Sequence, residues 1–176
     1  MSKVVAIIQA RLTSTRLPRK VLKKIGNKTM LQHVIDRVRK SKLVDTIVVA
    51  SPHKIKFTNA ESFIGSEKDV LDRYYCCADK YKANIIVRVT SDCPLIDPEI
   101  IDYAIRYMKR NNLEYVCFAP LDGLDVEVFT QPQLARAWEF ALDAYDREHV
   151  TPYMRRENKI SVDTQDDFDW VEGMVR

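Results

Sequence analysis

An α/β fold with a mostly parallel central sheet is expected from two features of this 176-residue chain. Short, uninterrupted β-branched runs at Val4 to Ile8, Thr46 to Ala50 and Ile85 to Val89 have the character of strands buried on both faces. Segments of helical period alternate with them, as a parallel sheet requires. The first helix is expected to open at Thr29, where Thr29 and Gln32 make a capping-box pair, and to bury Leu31, Val34, Ile35 and Val38. A second should begin near Ser66, with Asp69 three residues on, and carry Val70, Leu71, Tyr74 and Tyr75 through to Tyr81. Asp97 followed by Pro98 marks a third start, leading to Ile100, Ile101, Ala104, Ile105 and Met108. Thr130 with Gln133 caps a fourth helix through Leu134, Ala137, Trp138 and Ala141, and Thr164 with Asp167 opens a last one. Between Ala50 and Ser66 the helical pattern fades, so the crossover there should be abbreviated. With 46% hydrophobic residues, no linker and no repeat, residues 1–176 are expected to form a single domain.

Composition excludes several functions. Lys plus Arg number 28 against 25 Asp plus Glu, a net charge of +3 that does not point to nucleic acid. The basicity is local, with Arg11, Arg16, Arg19, Lys20, Lys23, Lys24 and Lys28 following one another without a carboxylate between them. No apolar run reaches membrane-spanning length and the start lacks a signal-peptide layout, so the expected location is the cytoplasm, away from the membrane. The four cysteines have no zinc spacing and are expected as reduced thiols; Cys76 and Cys77 are neighbours on a helix and do not face each other. Four glycines make neither G-x-G-x-x-G nor a Walker loop, and no G-x-S-x-G occurs.

Chemistry concentrates where strands end. The stretch Ile7 to Lys20 runs from an apolar strand into a loop that gathers Arg11, Arg16, Arg19 and Lys20 around Thr13, Ser14 and Thr15. Guanidinium forks, an ammonium and small polar residues at a strand's carboxyl end suit a polyphosphate; a solvated basic loop is the alternative. Asp92 follows the third strand and Asp163 follows the run Ile160 to Val162, and two such carboxylates suit Mg²⁺, unless both are turn or capping residues. In Asp122 to Val128, alternation puts Asp125 and Glu127 on one strand face, where they could bind sugar hydroxyls or merely face solvent. Arg147 could hold a substrate carboxylate and His149 a hydroxyl, although a lone histidine is often structural. Tyr74, Tyr75, Tyr103, Tyr107 and Trp138 fall at helical spacing and are expected to pack.

The string Ala6-Ile7-Ile8-Gln9-Ala10-Arg11 to Ser14-Thr15-Arg16-Leu17-Pro18-Arg19-Lys20 closely resembles the opening of cytidylyltransferases that make CMP-sugars. It is most similar to the spore-coat-polysaccharide type, relatives of CMP-KDO and CMP-sialic acid synthetases. Further matches are Gly65 to Tyr75, Arg88 to Asp97, Asp122 to Phe129, Arg147 to Tyr153 and Val162-Asp163-Thr164, in the family's order. The resemblance implies a three-layer, Rossmann-like nucleotide-diphospho-sugar transferase fold. It implies that Gln9, Ala10, Arg11, Thr13, Ser14, Thr15, Arg16, Lys20 and Arg88 bind the nucleotide, with Arg11, Lys20 and Asp92 catalytic. It further implies that Asp92 and Asp163 hold Mg²⁺, and that Asp122, Asp125, Glu127, Arg147 and His149 line the sugar side. The implied reaction joins CMP from CTP to a sugar or sugar acid, releasing pyrophosphate. Against the family pattern the chain is shortened after Ala50, before Asp122 and between Arg155 and Val162, which leaves open the sugar pocket and the usual homodimer. A shortened homologue that binds nucleotide without turnover, and a transferase using another nucleotide or acceptor, are the competing expectations.

Overall fold

The strand predicted near the start forms as Val4–Gln9 (β1), buried as far as Ile8. The computed structural model describes residues 2–14, 16–119 and 123–158. After β1 come a 3₁₀ turn at Lys20–Leu22, a small hairpin of Lys24–Ile25 (β2) and Lys28–Thr29 (β3), and helix α1 (Met30–Val38). Two further strands, Thr46–Ser51 (β4) and Glu61–Ile64 (β5), precede α2 (Val70–Lys80), β6 (Ile85–Thr90) and α3 (Pro98–Arg110). The described chain closes with β7 (Tyr115–Phe118), β8 (Val126–Thr130), α4 (Gln131–Phe140), α5 (Ala144–His149) and α6 (Pro152–Glu157).

Six strands make one sheet in the order β5-β4-β1-β6-β8-β7. The pairs β5–β4, β4–β1 and β1–β6 are parallel, and β8 runs antiparallel to both β6 and β7. Alternation along β1 sorts the core. Val4, Ala6 and Ile8 pack with Leu31, Val34 and Ile35 of α1 and Ile101 and Ile105 of α3. Val5 and Ile7 pack on the other side with Leu71 and Tyr74 of α2 and Leu134 and Ala137 of α4. The result is three layers, helices on both faces of a mostly parallel sheet. From β1 the chain moves outward through β4 to β5 on one side, then returns to place β6 on the other. The strand order therefore reverses beside β1, and the crevice beyond the carboxyl ends of β1 and β6 is where such sheets admit ligands.

Local chemistry sets the helix starts. The Thr29 hydroxyl accepts the Gln32 N–H at 3.2 Å and the Thr130 hydroxyl accepts that of Gln133 at 3.3 Å. Neither glutamine completes the reciprocal half of a capping box. Gln32 instead pairs with the backbone of Thr58, accepting its N–H (3.0 Å) and donating to its carbonyl (3.2 Å), which pins the 52–60 connection. That connection joins β4 to β5 without a helix, the abbreviated crossover expected from the sequence. Helix α2 starts at Val70 rather than Ser66, because the Asp69 carboxylate caps Asp72 N–H (2.8 Å) while the Ser66 hydroxyl closes a separate turn on Asp69 N–H (3.0 Å). The helix start expected at Thr164 lies outside the described residues. Strands β5 and β7, and the short helices α5 and α6, were not anticipated. β5 is an edge strand with exposed Glu61, Ser62 and Ile64, so it carries no continuous apolar run.

One buried carboxylate joins the first and third helices. Asp102 of α3 accepts from the Ser41 hydroxyl (2.5 Å) and from the Lys42 and Leu43 N–H groups (3.0 and 3.1 Å). Asp102→Leu keeps bulk but strands three donors, and is expected to cost about 3 kcal/mol. Urea unfolding measures this; an unchanged midpoint would show that the turn after α1 finds other partners.

Candidate functional site

Two loops leave the sheet side by side at its switch point. Ala10 N–H is held by the Ala50 carbonyl (3.0 Å) and Ser91 N–H by the Gln9 carbonyl (3.2 Å), so the ends of β1, β4 and β6 stay in register. Between the loops opens a cleft of about 260 Å³. Arg11, Ser14, Arg16 and Lys20 line it from the first loop, and Thr90, Ser91 and Asp92 from the second. Glu67, Val70 and Arg73 come from α2 and the residues before it, Glu148 and His149 from the end of α5. Roomier hollows of about 660 and 820 Å³ lie against Tyr103 and Arg106 on the outer side of α3, away from these strand ends.

The first loop is shaped to aim its cations. Ser14 Oγ accepts the Leu17 N–H (3.4 Å), Arg19 N–H reaches back to the Leu12 carbonyl (3.3 Å), and buried Val21 anchors the turn that follows. Arg19 takes a left-handed φ of +52°, a conformation uncommon outside glycine, where the chain reverses ahead of Lys20. Lys20 then meets Asp92 across the cleft at 2.5 Å. Two further contacts cross the cleft, Thr13 Oγ1 to Glu67 at 3.2 Å and Arg11 to Glu148 at 3.5 Å. The Arg11–Glu148 side chains are 60% and 52% exposed, so that pair holds weakly and yields readily to an anion.

Asp92 stays ionised. Burial pushes its pKa up, but hydrogen bonds to Lys20 and Thr90 and the Lys20 charge outweigh burial and hold it below the usual carboxylate value. Two of the residues that line the cleft carry a buried polar atom with no hydrogen-bond partner. Gln9 Oε1 at the end of β1 and Arg73 Nε on α2 are buried and make no hydrogen bond. Arg73 is only 2% exposed, and among the described residues no carboxylate forms an ion pair with it. Such a cation is costly to bury.

The structure thus brings Gln9, Ala10, Arg11, Ser14, Arg16, Lys20, Asp92 and His149 to one cleft, with Thr13 bonded at its edge. Others go elsewhere. Arg88 lies on β6 opposite Glu127 of β8, and the two are ion-paired within the sheet rather than lining the cleft. Glu127 is 2% exposed and also takes Arg155 (2.8 Å) and the Tyr115 hydroxyl (2.7 Å), whereas Asp125 precedes the strand and is exposed; they form no open carboxylate pair. Arg147 donates twice to Asp69 and once to the Trp138 carbonyl (2.7 Å), tying α5 to the start of α2. Thr15, Asp122 and Asp163 lie outside the described residues. The sequence reading missed Arg73, Glu67 and Glu148. Arg73 had a visible signal: a cation on the buried stripe Val70, Leu71, Tyr74, Cys77, Ala78.

A model of the cytidylyltransferase family matches residues 5–169. The chain belongs to the cytidylyltransferase family. Among its relatives, MJ1063 of Methanocaldococcus jannaschii is 43% identical over 162 residues, 86% of this chain and 67% of that protein. The spore coat polysaccharide biosynthesis protein SpsF of Bacillus subtilis is 30% identical over 211 positions, covering 100% of this chain and 88% of SpsF. An alignment of that length against 176 residues means that SpsF carries insertions this member of the family lacks. The 3-deoxy-manno-octulosonate cytidylyltransferase of Solibacter usitatus is 40% identical over 110 residues, 58% of this chain but only 44% of that enzyme. A solved cytidylyltransferase from Leptospira borgpetersenii superposes with a TM-score of 0.83 at 30% identity, covering 96% of this chain and 84% of the other. No helix among the described residues of this family member is long and apolar enough to cross a membrane.

Proposed function

We propose that the protein transfers the cytidylyl group of CTP to a sugar or sugar acid, with release of pyrophosphate and with Mg²⁺ as cofactor, in the synthesis of a polysaccharide or glycan. The observation that carries this reading is that Arg11, Arg16 and Lys20 from one loop line the same cleft as ionised Asp92 at the sheet's switch point, with Lys20 bonded to it. A substrate hydroxyl oxygen attacks the α-phosphorus, the bond from that phosphorus to the oxygen bridging it to the β-phosphate breaks, pyrophosphate leaves with the electron pair, and the hydroxyl proton passes to water. Charge then grows on the departing pyrophosphate, where Arg11, Arg16 and Lys20 offset it. Their partners in the structure, Glu148 for Arg11 and Asp92 for Lys20, are exchanged for phosphate oxygens as the nucleotide enters.

The residues fit a metal that arrives with the nucleotide. Mg²⁺ needs one or two carboxylates and takes its other ligands from phosphates and water. Among the described residues no cluster of three or more His, Cys, Asp or Glu side chains could hold a metal by itself, while Asp92 is ionised and borders the cleft. Asp163 is proposed as the second carboxylate from the family resemblance. A metal bound there supplies polarisation of the α-phosphate and a lowered pKa for the attacking hydroxyl.

Pyrophosphate release with CTP, Mg²⁺ and a panel of 3-deoxy and amino sugar acids tests the reading. At least one acceptor is expected to support release that depends on both CTP and the metal. A protein that binds no CTP and releases no pyrophosphate with any acceptor would refute it. The pairing of Glu127 with Arg88 and Arg155, and of Arg147 with Asp69, favours a second reading, nucleotide binding without transfer. CTP binding with no turnover on any acceptor would select that one.

A further inference from the structure

Helix α5 carries one wall of the cleft, yet little of its own surface holds it in place. Glu148 and His149 reach the cleft from its last turn, and the one buried side chain among its six residues is the carboxylate of Asp146. Tyr145, Glu148 and His149 are exposed, so no apolar stripe seats the helix on the core. Asp146 turns to Arg156 of α6 (3.0 Å), which ties α5 to the next element of the chain but not to the cleft. Beyond His149 the chain passes through Val150, buried and at a left-handed φ of +73° that a β-branched residue rarely takes. Val150 anchors one end of α5. A helix fixed at one end is free to swing.

Arg147 supplies a second tie. Its Nε and Nη2 both donate to Asp69 Oδ2 (2.9 and 2.5 Å) and its Nη1 to the Trp138 carbonyl (2.7 Å), so one guanidinium joins α5 to α2 and α4. The receiving end is itself fixed. Asp69 Oδ1 accepts the Asp72 N–H as the cap of α2 (2.8 Å), which leaves the other oxygen for Arg147. Trp138 stacks on Tyr75 at 4.4 Å and donates its Nε1–H to Asp72 (2.9 Å). The residues on either side of Asp69 bring Glu67, Val70 and Arg73 to the cleft. The ion pair therefore sets one wall of the cleft against another.

We propose that Arg147 and Asp69 are a positioning pair, whose ion pair orients α5 so that Glu148 and His149 stand in the cleft. Neither residue lines the cleft, so both act through the side chains they place. The consequence for turnover rests on the transfer proposed above, whereas the orientation of α5 does not. In that transfer phosphate takes Arg11 from Glu148, and the released carboxylate and the His149 imidazole are left to meet the acceptor. A displaced α5 leaves the cation loop intact and costs alignment of the second substrate.

Two substitutions in the whole chain test the pair. Asp69→Asn keeps a side chain able to cap α2 and loses the charge, while Arg147→Gln loses the guanidinium fork. The ring protons of His149, told apart from those of His33 and His53 by their absence in His149→Gln, report the orientation of α5 by NMR. In both variants the His149 signals are expected to shift while those of His33 and His53 stay, and the double variant should match either single one. In CTP-dependent pyrophosphate release, kcat should fall about tenfold or more while CTP affinity measured by calorimetry holds. Unmoved His149 signals in both variants would overturn the proposal, as would effects that add in the double variant. Shifted signals with unchanged kcat would confine the pair to structure and overturn its positioning role. CTP affinity that falls together with kcat would place the damage in α2 and overturn it as well. Asp69→Asn, with its cap retained, decides the matter if Arg147→Gln does not fold. A protein without turnover in any form refutes the transfer instead, and the His149 signals still decide the orientation.

Discussion

Asp92→Asn is expected to abolish turnover while leaving, or improving, metal-free nucleotide binding. Asp92 and Lys20 neutralise each other at 2.5 Å across the mouth of the cleft, with their side chains 42% and 27% exposed. In the proposed reaction both acquire new partners, the lysine a phosphate and the aspartate a metal. Removing the carboxylate charge therefore releases Lys20 from competition and removes a negative charge facing a triphosphate. For a partly exposed pair the gain is modest, about 1 kcal/mol or roughly fivefold in CTP affinity measured in EDTA. The loss lies on the other side. Without the carboxylate the residues no longer hold a metal against the α-phosphate, and CTP-dependent pyrophosphate release should fall by about 10³-fold or more. Opposite signs in one variant distinguish this account from simple damage to the site, which lowers both. Turnover close to that of the unaltered protein would remove Asp92 from the chemistry. Weaker binding in EDTA would mean that Asp92 orients Lys20 rather than competing for it.

What the sequence disclosed depended on how local the determining physics was. Helix starts at Thr29, Asp97 and Thr130 were legible because the cap is a bond between residues two or three apart. The central strands were legible because burial on both faces leaves a continuous apolar run, whereas β5 at the sheet edge leaves none. The cation loop was visible for the same local reason, with Arg11, Arg16 and Lys20 on one short segment. Carboxylates were harder. Alternation put Glu127 on one strand face with Asp125, open to a sugar or to solvent, but its surroundings are set by Arg88 of the adjacent strand and by Arg155 from 28 residues further along. Arg147 looked free to bind a substrate, and its actual partner Asp69 is 78 residues away. Whether a charged side chain is available or already paired is decided by such long-range contacts, which no local pattern encodes. Arg73 is the intermediate case, conspicuous as a cation on an apolar stripe but interpretable only once the cleft above it is known.

The same long-range contact gives the largest expected effect on stability. Glu127→Ala is expected to cost about 3–5 kcal/mol in urea unfolding, because it leaves the Arg88 guanidinium buried without its counter-charge. Arg155, 57% exposed, can turn to water; Arg88, at 15%, cannot. Removing both charges should therefore hurt less than removing one. Arg88→Leu combined with Glu127→Leu packs apolar volume where the pair stood, and is expected to recover at least about 2 kcal/mol of the loss. Costs that simply add would show that the two side chains do not depend on each other. The pair also shapes the acid limb of stability. Burial alone raises the Glu127 pKa, but the Arg88 charge, the Tyr115 hydroxyl and Arg155 together bring it below the ordinary value of 4.5. A carboxyl whose folded pKa is depressed contributes fully above its unfolded value, and that contribution is lost as pH falls through the folded one. The unaltered protein should accordingly lose stability below about pH 4.5. Glu127→Gln should start less stable at neutral pH and show a shallower fall over that window, since it has no proton to take up. An acid limb of equal slope in both proteins would place the responsible carboxyl elsewhere.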